Sequence, residues 1–119
     1  MGEIYCLYST ADGEPRYIGR SDDTAERRYK QHVTNALEIK PGELYDWMRA
    51  AWKEKHEIGF YVLQSDIIPA DIAFFEQYWI SQFPGLLNQH FNGTPPQAPT
   101  DAGRQVMLAI KAKLVVTEI

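Results

Sequence analysis

Five polar side chains in this 119-residue chain are of the types that can handle a phosphate group and a water molecule: Tyr5, Tyr17, Arg28, His32 and Glu76. Hydrolysis of a phosphodiester needs a base for the water, a cation for the phosphate charge, and a metal ion or an acid for the leaving oxygen. A tyrosine becomes a reasonable base when a nearby cation lowers its pKa, by roughly one to three units at contact distance. The sequence therefore holds the parts of a hydrolytic site, provided that the fold brings them together.

The turn of a predicted hairpin decides whether the two tyrosines can meet. Strands are predicted over residues 3–9 and 14–18, because short apolar runs flank an Asp-Gly turn signal. A two-residue loop would send Tyr5 and Tyr17 to opposite faces of the sheet. A three-residue loop, with Gly13 in the left-handed conformation, would place them on the same face. The sequence allows both, and we favour the second only because it gathers the two tyrosines.

The first helix selects one arginine from a neighbouring pair. It is predicted to begin near residues 23–24, where either side chain can cap it, and to run to about Leu37. At about 100° per residue, Arg28 and His32 lie together along one edge of its apolar stripe, whereas Arg27 points nearly opposite. We therefore expect Arg28, and not Arg27, to belong to the site.

The rest of the chain predicts a second helix, a third strand and two more helices. The second helix follows Pro41-Gly42, the strand covers residues 58–63, the third helix opens around Pro69, and an amphipathic helix covers residues 101–114. Between the last two helices, residues 84–99 read as a loop rich in Pro, Asn and Gly.

Glu76 has an unusual place on the third helix. It projects about 40° from Ile72, so that it lies inside the apolar face rather than at its margin. An ionised carboxylate in such a place is costly unless it is paired or bound to a metal ion. The side chain therefore needs a partner, either a cation from elsewhere in the chain or a metal.

Length and composition indicate a single domain. The chain has 119 residues, of which 45% are hydrophobic, enough for one core but not two. Its one cysteine, Cys6, excludes an internal disulfide and fits a reducing compartment. No run approaches the roughly 20 apolar residues of a membrane span, and the start of the chain lacks a secretory signal pattern. We expect a cytoplasmic protein with no membrane partner.

The charge distribution gives two indications that point in different directions. A net charge of -4 argues against strong non-specific binding to nucleic acid, which depends mainly on neutralising phosphates. Five of the twelve Lys and Arg residues nevertheless fall within fifteen positions: Arg16, Arg20, Arg27, Arg28 and Lys30. A local basic patch on an acidic protein is therefore an open alternative.

The chain resembles the GIY-YIG nuclease superfamily in the order and spacing of five short motifs: Glu3-Ile4-Tyr5, Tyr17-Ile18-Gly19, Arg28-x-x-x-His32, Glu76 and Asn88. The resemblance covers residues 3 to about 93. Glu3 stands where the first motif of that superfamily has a glycine, whereas the chemically reactive residue of the motif, Tyr5, is present. Each motif alone is weak, but five of them on the expected order of strands and helices are specific.

The resemblance implies a role for each of these side chains. Tyr5 would be the general base or would orient the attacking water, and His32 would accept its proton or orient it. Arg28 would stabilise the phosphate charge in the transition state, and Tyr17 would contact the phosphate or the water. Glu76 would be the single carboxylate ligand of Mg²⁺ (or Mn²⁺), whose other ligands are waters and phosphate oxygens. Next to the substrate we expect Gly19, Arg20 and Asn88, the last of which would brace the site or contact the backbone.

We therefore predict an α+β fold, with a small three-stranded antiparallel sheet flanked by helices and an added C-terminal helix. Residues 1–93 would be the nuclease domain, and residues 94–119 a proline-containing connector and amphipathic helix. The predicted function is that of a metal-dependent endonuclease whose partner is DNA. Two alternatives stay open: a catalytically silent domain of this type that binds nucleic acid or a protein, and a structural or assembly protein that forms a homodimer through the C-terminal helix, residues 101–114.

Overall fold

A computed structural model describes residues 1–88 and 98–118, with the side chains of the last helix described as far as residue 113. Over these residues the chain forms three strands, four α-helices and a short 3-10 helix. In chain order they are β1 (Gly2–Ser9), β2 (Pro15–Ser21), α1 (Ala25–Leu37), α2 (Glu43–Lys53), β3 (Ile58–Ile67), the 3-10 helix (Pro69–Asp71), α3 (Ile72–Gln82) and α4 (Asp101–Glu118). The strands form one antiparallel sheet in the order β2-β1-β3. The predicted α+β fold is confirmed.

The hairpin of β1 and β2 places both tyrosines on the same face of the sheet. Tyr5 pairs with Gly19, two residues along β2 from Tyr17, which is the register expected for a three-residue loop. The strands separate earlier than predicted, because a bulge interrupts the pairing and residues 10–14 make the connection. Gly13 has φ +72°, the left-handed conformation that was expected of it. The site therefore has the hairpin register that it needs.

The start of α1 is fixed by two side-chain oxygens. Thr24 is the N-cap residue, and its hydroxyl accepts a hydrogen bond from the backbone N–H of Arg27 at 3.3 Å. The carboxylate of Glu3 accepts a second one from the N–H of Ala25 at 2.7 Å, at the positive end of the helix dipole. Glu3, the residue that departs from the family signature, thus joins the start of β1 to the start of α1.

The two faces of the sheet carry different residues, because side chains alternate along each strand. One face, which we call the apolar face, packs against α3 and α4 through Ile4, Cys6, Ile18, Ile67, Ile72, Phe75, Ile80, Leu86 and Met107. The other, which we call the tyrosine face, lies against α1 and α2. The buried residues there are Tyr5 and Leu7 of the sheet and Ala25 of α1, with Tyr17, Tyr29, Leu44, Trp47 and Phe60 packed around them.

The C-terminal helix packs against its own domain. The buried carboxylate of Asp71 accepts hydrogen bonds from the N–H and the hydroxyl of Thr100, at 2.8 and 2.7 Å, just before α4 begins. Further along the helix, Met107 is buried in the apolar cluster and Ile110 packs against that cluster. The first half of α4 is therefore part of the core that also holds α3.

Several predicted boundaries shift in the structure. β3 continues to Ile67 instead of ending near residue 63, and α4 continues to Glu118 instead of residue 114. The proline at position 69 opens the 3-10 helix, so that α3 itself begins at Ile72. The expected domain boundary between residues 93 and 94 lies outside the described residues. Among the helices that the structure describes, none is long and apolar enough to cross a membrane.

Candidate active site

Tyr5 and His32 form a hydrogen-bonded pair in the interior of the tyrosine face. The Tyr5 hydroxyl lies 2.8 Å from His32 Nε2, and the two side chains are only 1% and 2% exposed. The second ring nitrogen, Nδ1, lies 3.3 Å from the hydroxyl of Tyr45 on α2. The resemblance implied that His32 acts on Tyr5, and the geometry places the two groups in contact.

A glycine on β2 leaves room for the Tyr5 ring. Gly19 pairs with Tyr5 across the hairpin, and the ring lies directly over it. A β-carbon at position 19 would lie 2.5 Å from the Tyr5 oxygen and 3.0 Å from the ring of Tyr17. Position 19 therefore requires glycine for close packing. We expected this residue next to the substrate, and the structure places it beneath the tyrosine.

Four of the five candidate residues line one open pocket of about 420 Å³. Its lining residues are Tyr5, Tyr17, Arg20, Ser21, Asp22, Arg28 and Glu76. The fifth candidate, His32, lies behind Tyr5 and meets the edge of the Tyr17 ring, with 5.7 Å between ring centroids. Strands β1 and β2 and helices α1 and α3 thus bring all five predicted residues together.

Burial keeps the two tyrosines in their neutral form. It raises the pKa of Tyr5 well above the ordinary value of 10.0, and Tyr17 adds to this effect while the Arg28 guanidinium opposes it. Burial, followed by the charge of Glu76, also raises the pKa of Tyr17. Arg28 alone therefore does not make Tyr5 a phenolate, and a base role for Tyr5 requires further positive charge in the pocket.

His32 is neutral at physiological pH. Burial, with the positive charge of Arg28 as a second cause, lowers its pKa from 6.5 to about 4. A neutral imidazole carries one proton, so that one ring nitrogen donates a hydrogen bond while the other accepts one. The role of His32 toward Tyr5 therefore depends on which nitrogen holds the proton.

The basic cluster near the start of the chain is largely neutralised by ion pairs. Three of its five members are paired, as Arg16–Asp12, Arg27–Asp23 and Lys30–Glu26. The other two, Arg20 and Arg28, form no ion pair with a described carboxylate, and both line the pocket. The Arg28 guanidinium donates to the side chain of Gln31. The guanidinium groups of this cluster that have no ion pair with a described carboxylate thus lie at the pocket, which also holds the carboxylates of Asp22 and Glu76.

The neighbouring arginines differ as the helical geometry predicted. Arg28 is half-buried at the pocket, whereas the Arg27 side chain is 80% exposed and is paired with Asp23. The two residues therefore offer a matched pair for mutation, with the same chemistry in different places.

Glu76 is a half-buried carboxylate at the pocket wall. Burial raises its pKa, and the nearby Arg20 partly opposes that effect. Within the described residues no ion pair is formed to this carboxylate. Its apolar neighbours on α3, Phe75 and Ile80, are buried in the core. The side chain thus projects from a core helix into the polar pocket, where Arg20 is a nearby positive charge.

Asn88 braces β2 beside the site. Its side-chain oxygen accepts from the N–H of Ile18 at 3.2 Å, and its side-chain nitrogen donates to the carbonyl of Ile18 at 2.6 Å. β2 is an edge strand, so these bonds satisfy backbone groups that have no neighbouring strand. The pair of bonds fixes the chain between Tyr17 and Gly19, which is the bracing role that the resemblance implied.

Sequence reasoning missed the capping role of Glu3 and four residues that complete the arrangement: Asn35, Tyr45, Ser21 and Asp22. Asn35 donates a hydrogen bond from its side-chain nitrogen to Tyr45 Oη at 2.9 Å. A signal for Tyr45 was available, because a tyrosine on the inner face of a helix needs a partner for its hydroxyl. The sequence signal for Ser21 and Asp22 was weaker: they directly follow Arg20, where β2 ends.

The oxygen donors of the pocket are of the type that binds a hard cation. In residues 1–88 and 98–118, no three His, Cys, Asp or Glu side chains cluster as metal ligands. A cage made only of protein ligands is therefore not formed by the described residues. A single carboxylate such as Glu76, with water and substrate oxygens as the other ligands, is a known mode for Mg²⁺.

No protein-family description, no curated protein and no solved structure matches the chain. The family resemblance thus depends on the quoted motifs alone. The function must be argued from the geometry of the pocket.

Proposed function

We propose that the protein is an endonuclease that hydrolyses DNA phosphodiester bonds with the help of a divalent cation. The observation that carries this proposal is the buried Tyr5–His32 hydrogen bond at the wall of a polar pocket that also holds Arg28 and Glu76. This pocket combines a candidate base, a cation for phosphate and a carboxylate for a metal ion. The arrangement is what hydrolysis of a phosphodiester needs.

Each residue has one task in the proposed reaction. Tyr5 takes the proton of the attacking water, and its hydrogen bond to His32 fixes the direction of its oxygen. Arg28 binds the phosphate and stabilises the negative charge of the transition state. Tyr17 and Arg20 line the same pocket and complete the contacts to the phosphate. These tasks require no movement of the sheet, because Tyr5, Tyr17, Arg20 and Arg28 already line one cavity and His32 contacts Tyr5 from behind it.

Glu76 would hold the cation. A Mg²⁺ or Mn²⁺ ion bound there supplies positive charge that favours the phenolate of Tyr5 and offsets charge on the phosphate. Without such charge, burial keeps the pKa of Tyr5 raised, so that the tyrosine is a poor base. The raised pKa of Tyr5 is therefore a reason for the proposed metal dependence.

The charge distribution suggests how the substrate is held. Arg20 and Arg28 are the members of the basic cluster that are left to contact phosphates. Two phosphate contacts predict a slope of only about -2 for the logarithm of DNA affinity against the logarithm of salt concentration. We infer that the protein binds DNA through phosphates close to the cleaved bond and has a low non-specific affinity for DNA. The compartment that we propose for this activity is the cytoplasm.

Incubation of the purified protein with supercoiled plasmid, branched DNA and single-stranded DNA tests the proposal. We expect cleavage in Mg²⁺ and none in EDTA. Glu76→Gln, which removes the carboxylate charge and keeps the shape, should lower cleavage by about 10²-fold or more. Glu57→Gln is the matched control, because Glu57 is exposed and lies outside the pocket. Cleavage that persists in EDTA, or unchanged cleavage by Glu76→Gln, contradicts the proposed role of Glu76.

The two neighbouring arginines provide a second test. Arg28→Ala should lower the cleavage rate by about 10²- to 10³-fold, because it removes a charge that stabilises the transition state. Arg27→Ala should change the rate less than twofold, because its guanidinium is exposed and paired with Asp23. Equal losses in the two variants would mean that general charge, and not the pocket, governs activity.

The paired surface cations favour one other candidate, a catalytically silent domain of the same type. With a net charge of -4 and three of the five cations of the basic cluster in ion pairs, the chain would serve as a binding domain whose pocket no longer reacts. A Mg²⁺ titration followed by NMR at Glu76 distinguishes the two, because a silent domain has no need to bind the ion. Absence of cleavage on all three DNAs, together with no Mg²⁺ response, would favour the silent domain.

A further inference from the structure

Four side chains form a continuous hydrogen-bonded chain that leads from the pocket to the contact between α1 and α2. Tyr5 Oη lies 2.8 Å from His32 Nε2, and His32 Nδ1 lies 3.3 Å from Tyr45 Oη. Tyr45 Oη in turn accepts a hydrogen bond from Asn35 Nδ2 at 2.9 Å. Tyr5 and His32 belong to the proposed reaction, which assigns no role to Tyr45 or Asn35.

The direction of the hydrogen bonds follows from the end of this chain. The nitrogen of a side-chain amide can only donate, so Tyr45 Oη accepts from Asn35. The proton of Tyr45 is then available to His32 Nδ1, which lies 3.3 Å from its oxygen. When Nδ1 of a neutral imidazole accepts, the ring proton must be on Nε2.

We propose that Tyr45, oriented by Asn35, is a positioning residue that holds neutral His32 as the Nε2–H tautomer, so that His32 donates a hydrogen bond to Tyr5. The Tyr5 oxygen then accepts from His32, and its own proton is directed away from the histidine toward the pocket. Of the two roles that the resemblance left open for His32, this selects the orienting role over that of proton acceptor.

The groups around His32 are compatible with this state. Tyr5 and Tyr17 face the ring from the sheet, Tyr45 faces it from α2, and Arg28 lies one turn away on its own helix. None of them is a carboxylate that would favour a doubly protonated imidazolium. The low pKa of His32, about 4, agrees with a single ring proton at neutral pH.

The Nε2–H tautomer makes it easier to ionise Tyr5. This part of the inference rests on the proposed function. When the Tyr5 proton leaves through the pocket to solvent, the N–H of His32 remains in place as a donor to the phenolate. A hydrogen bond to an ionised acceptor is roughly twice as strong as one between neutral groups. His32 therefore lowers the cost of ionising Tyr5 without gaining or losing a proton itself.

Nitrogen NMR of the folded protein tests the inference without any substrate. With ¹⁵N-labelled histidine at pH 7, we expect His32 of the wild type to show a protonated Nε2 and an unprotonated Nδ1. Tyr45→Phe removes the donor to Nδ1 and should give a mixture of both tautomers. Tyr29→Phe is the matched control, because the Tyr29 hydroxyl donates instead to the carbonyl of Ile58, and it should leave the His32 spectrum unchanged.

Two results would overturn the inference: an Nδ1–H tautomer in the wild type, or a His32 spectrum that Tyr45→Phe does not change. If Tyr45→Phe does not fold, Asn35→Ala is measured in its place, with the same expected shift toward a mixture. DNA cleavage is the second readout, with a loss of about tenfold expected for Tyr45→Phe and none for Tyr29→Phe. A wild type that cleaves no DNA would refute the nuclease proposal, while the NMR result would still decide the tautomer.

Discussion

The tyrosine face and the apolar face of the sheet come from the same three strands, yet they differ in polarity and in the helices they contact. On β1, Ile4 and Cys6 are fully buried against α3 and α4, while Tyr5 between them points to α1 and the pocket. The apolar face contributes stability through close packing. The tyrosine face buries polar groups, which is favourable only because they are hydrogen-bonded.

This difference shows how a small domain holds a polar site at little structural cost. Within the described residues, every fully buried side-chain nitrogen or oxygen has a hydrogen-bond partner. A step of one residue along β1, from Ile4 to Tyr5, moves the side chain from the core to the site. Mutations at adjacent positions should therefore separate stability from activity.

The largest expected effect is on the apolar face. Ile4→Ala should lower the free energy of unfolding by about 2–5 kcal/mol, because Ile4 is completely buried and leaves a cavity. Tyr5→Phe at the next position keeps the ring and should cost about 1–3 kcal/mol, from the unpaired His32 nitrogen. Urea unfolding of both variants, followed by circular dichroism, measures the two values.

The variant that loses less stability should lose more activity. Tyr5→Phe should abolish DNA cleavage, whereas Ile4→Ala should retain the wild-type rate per folded molecule. A Tyr5→Phe protein that still cleaves, or one that loses more stability than Ile4→Ala, would mean that the two faces are not separated in this way.

A smaller effect is expected from pH, through His32. Its pKa is about 4 in the folded protein and near 6.5 when unfolded, so the unfolded chain binds the proton first. Stability from this group is therefore complete above pH 6.5 and is lost as the pH falls toward 4, by about 2–3 kcal/mol. The raised pKa of Glu76 acts in the opposite direction, because the folded protein protonates that carboxyl more readily.

The variant His32→Gln keeps Glu76 and lacks the histidine. The difference in unfolding free energy between it and the wild type therefore reports the pH dependence that is due to His32 alone. The stability advantage of the wild type over this variant should shrink by about 2–3 kcal/mol between pH 7 and pH 4, measured by urea unfolding in parallel. Burial raises the pKa of Tyr5 and of Tyr17 above its ordinary value, so neither tyrosine contributes to a difference between pH 7 and pH 4. A constant difference across the range would show that His32 is not buried in the neutral form.

The sequence was sufficient to predict the features that depend on periodicity. Alternation and helical spacing predicted the sheet, the order of elements and the choice of Arg28 over Arg27, because burial repeats every 2 or 3.6 residues. The motifs predicted which five side chains converge. Their convergence also needed the correct hairpin register, which the residue pattern alone left undecided.

The remainder depended on contacts between residues far apart in the chain. Tyr45 reaches His32 from a separate helix, and Glu3 caps α1 from the first strand. Neither contact has a periodic signature, since it results from the packing of whole elements. The ion pairs that neutralise the basic cluster were different, because Arg27–Asp23 and Lys30–Glu26 have the i,i+4 spacing that could have been read from the sequence.

Two glycines, one on each face, provide the finest comparison. Gly19 lies beneath Tyr5 on the tyrosine face, and Gly59 lies beneath Tyr8 on the apolar side of β1. In both cases an added β-carbon would meet the tyrosine oxygen, at 2.5 and 2.6 Å. The steric clash of an added β-carbon is thus nearly the same at both positions. The two positions differ in how far the tyrosine ring can move away.

Gly19→Ala should cost about 1–3 kcal/mol, because Tyr5 is buried and cannot move without breaking its bond to His32. Gly59→Ala should cost about 1 kcal/mol or less, because the half-exposed Tyr8 ring can swing outward. DNA cleavage should fall strongly in the first variant and stay unchanged in the second. Equal stability losses with equal cleavage would mean that the position of the Tyr5 ring, and with it the Tyr5–His32 bond, does not govern the site.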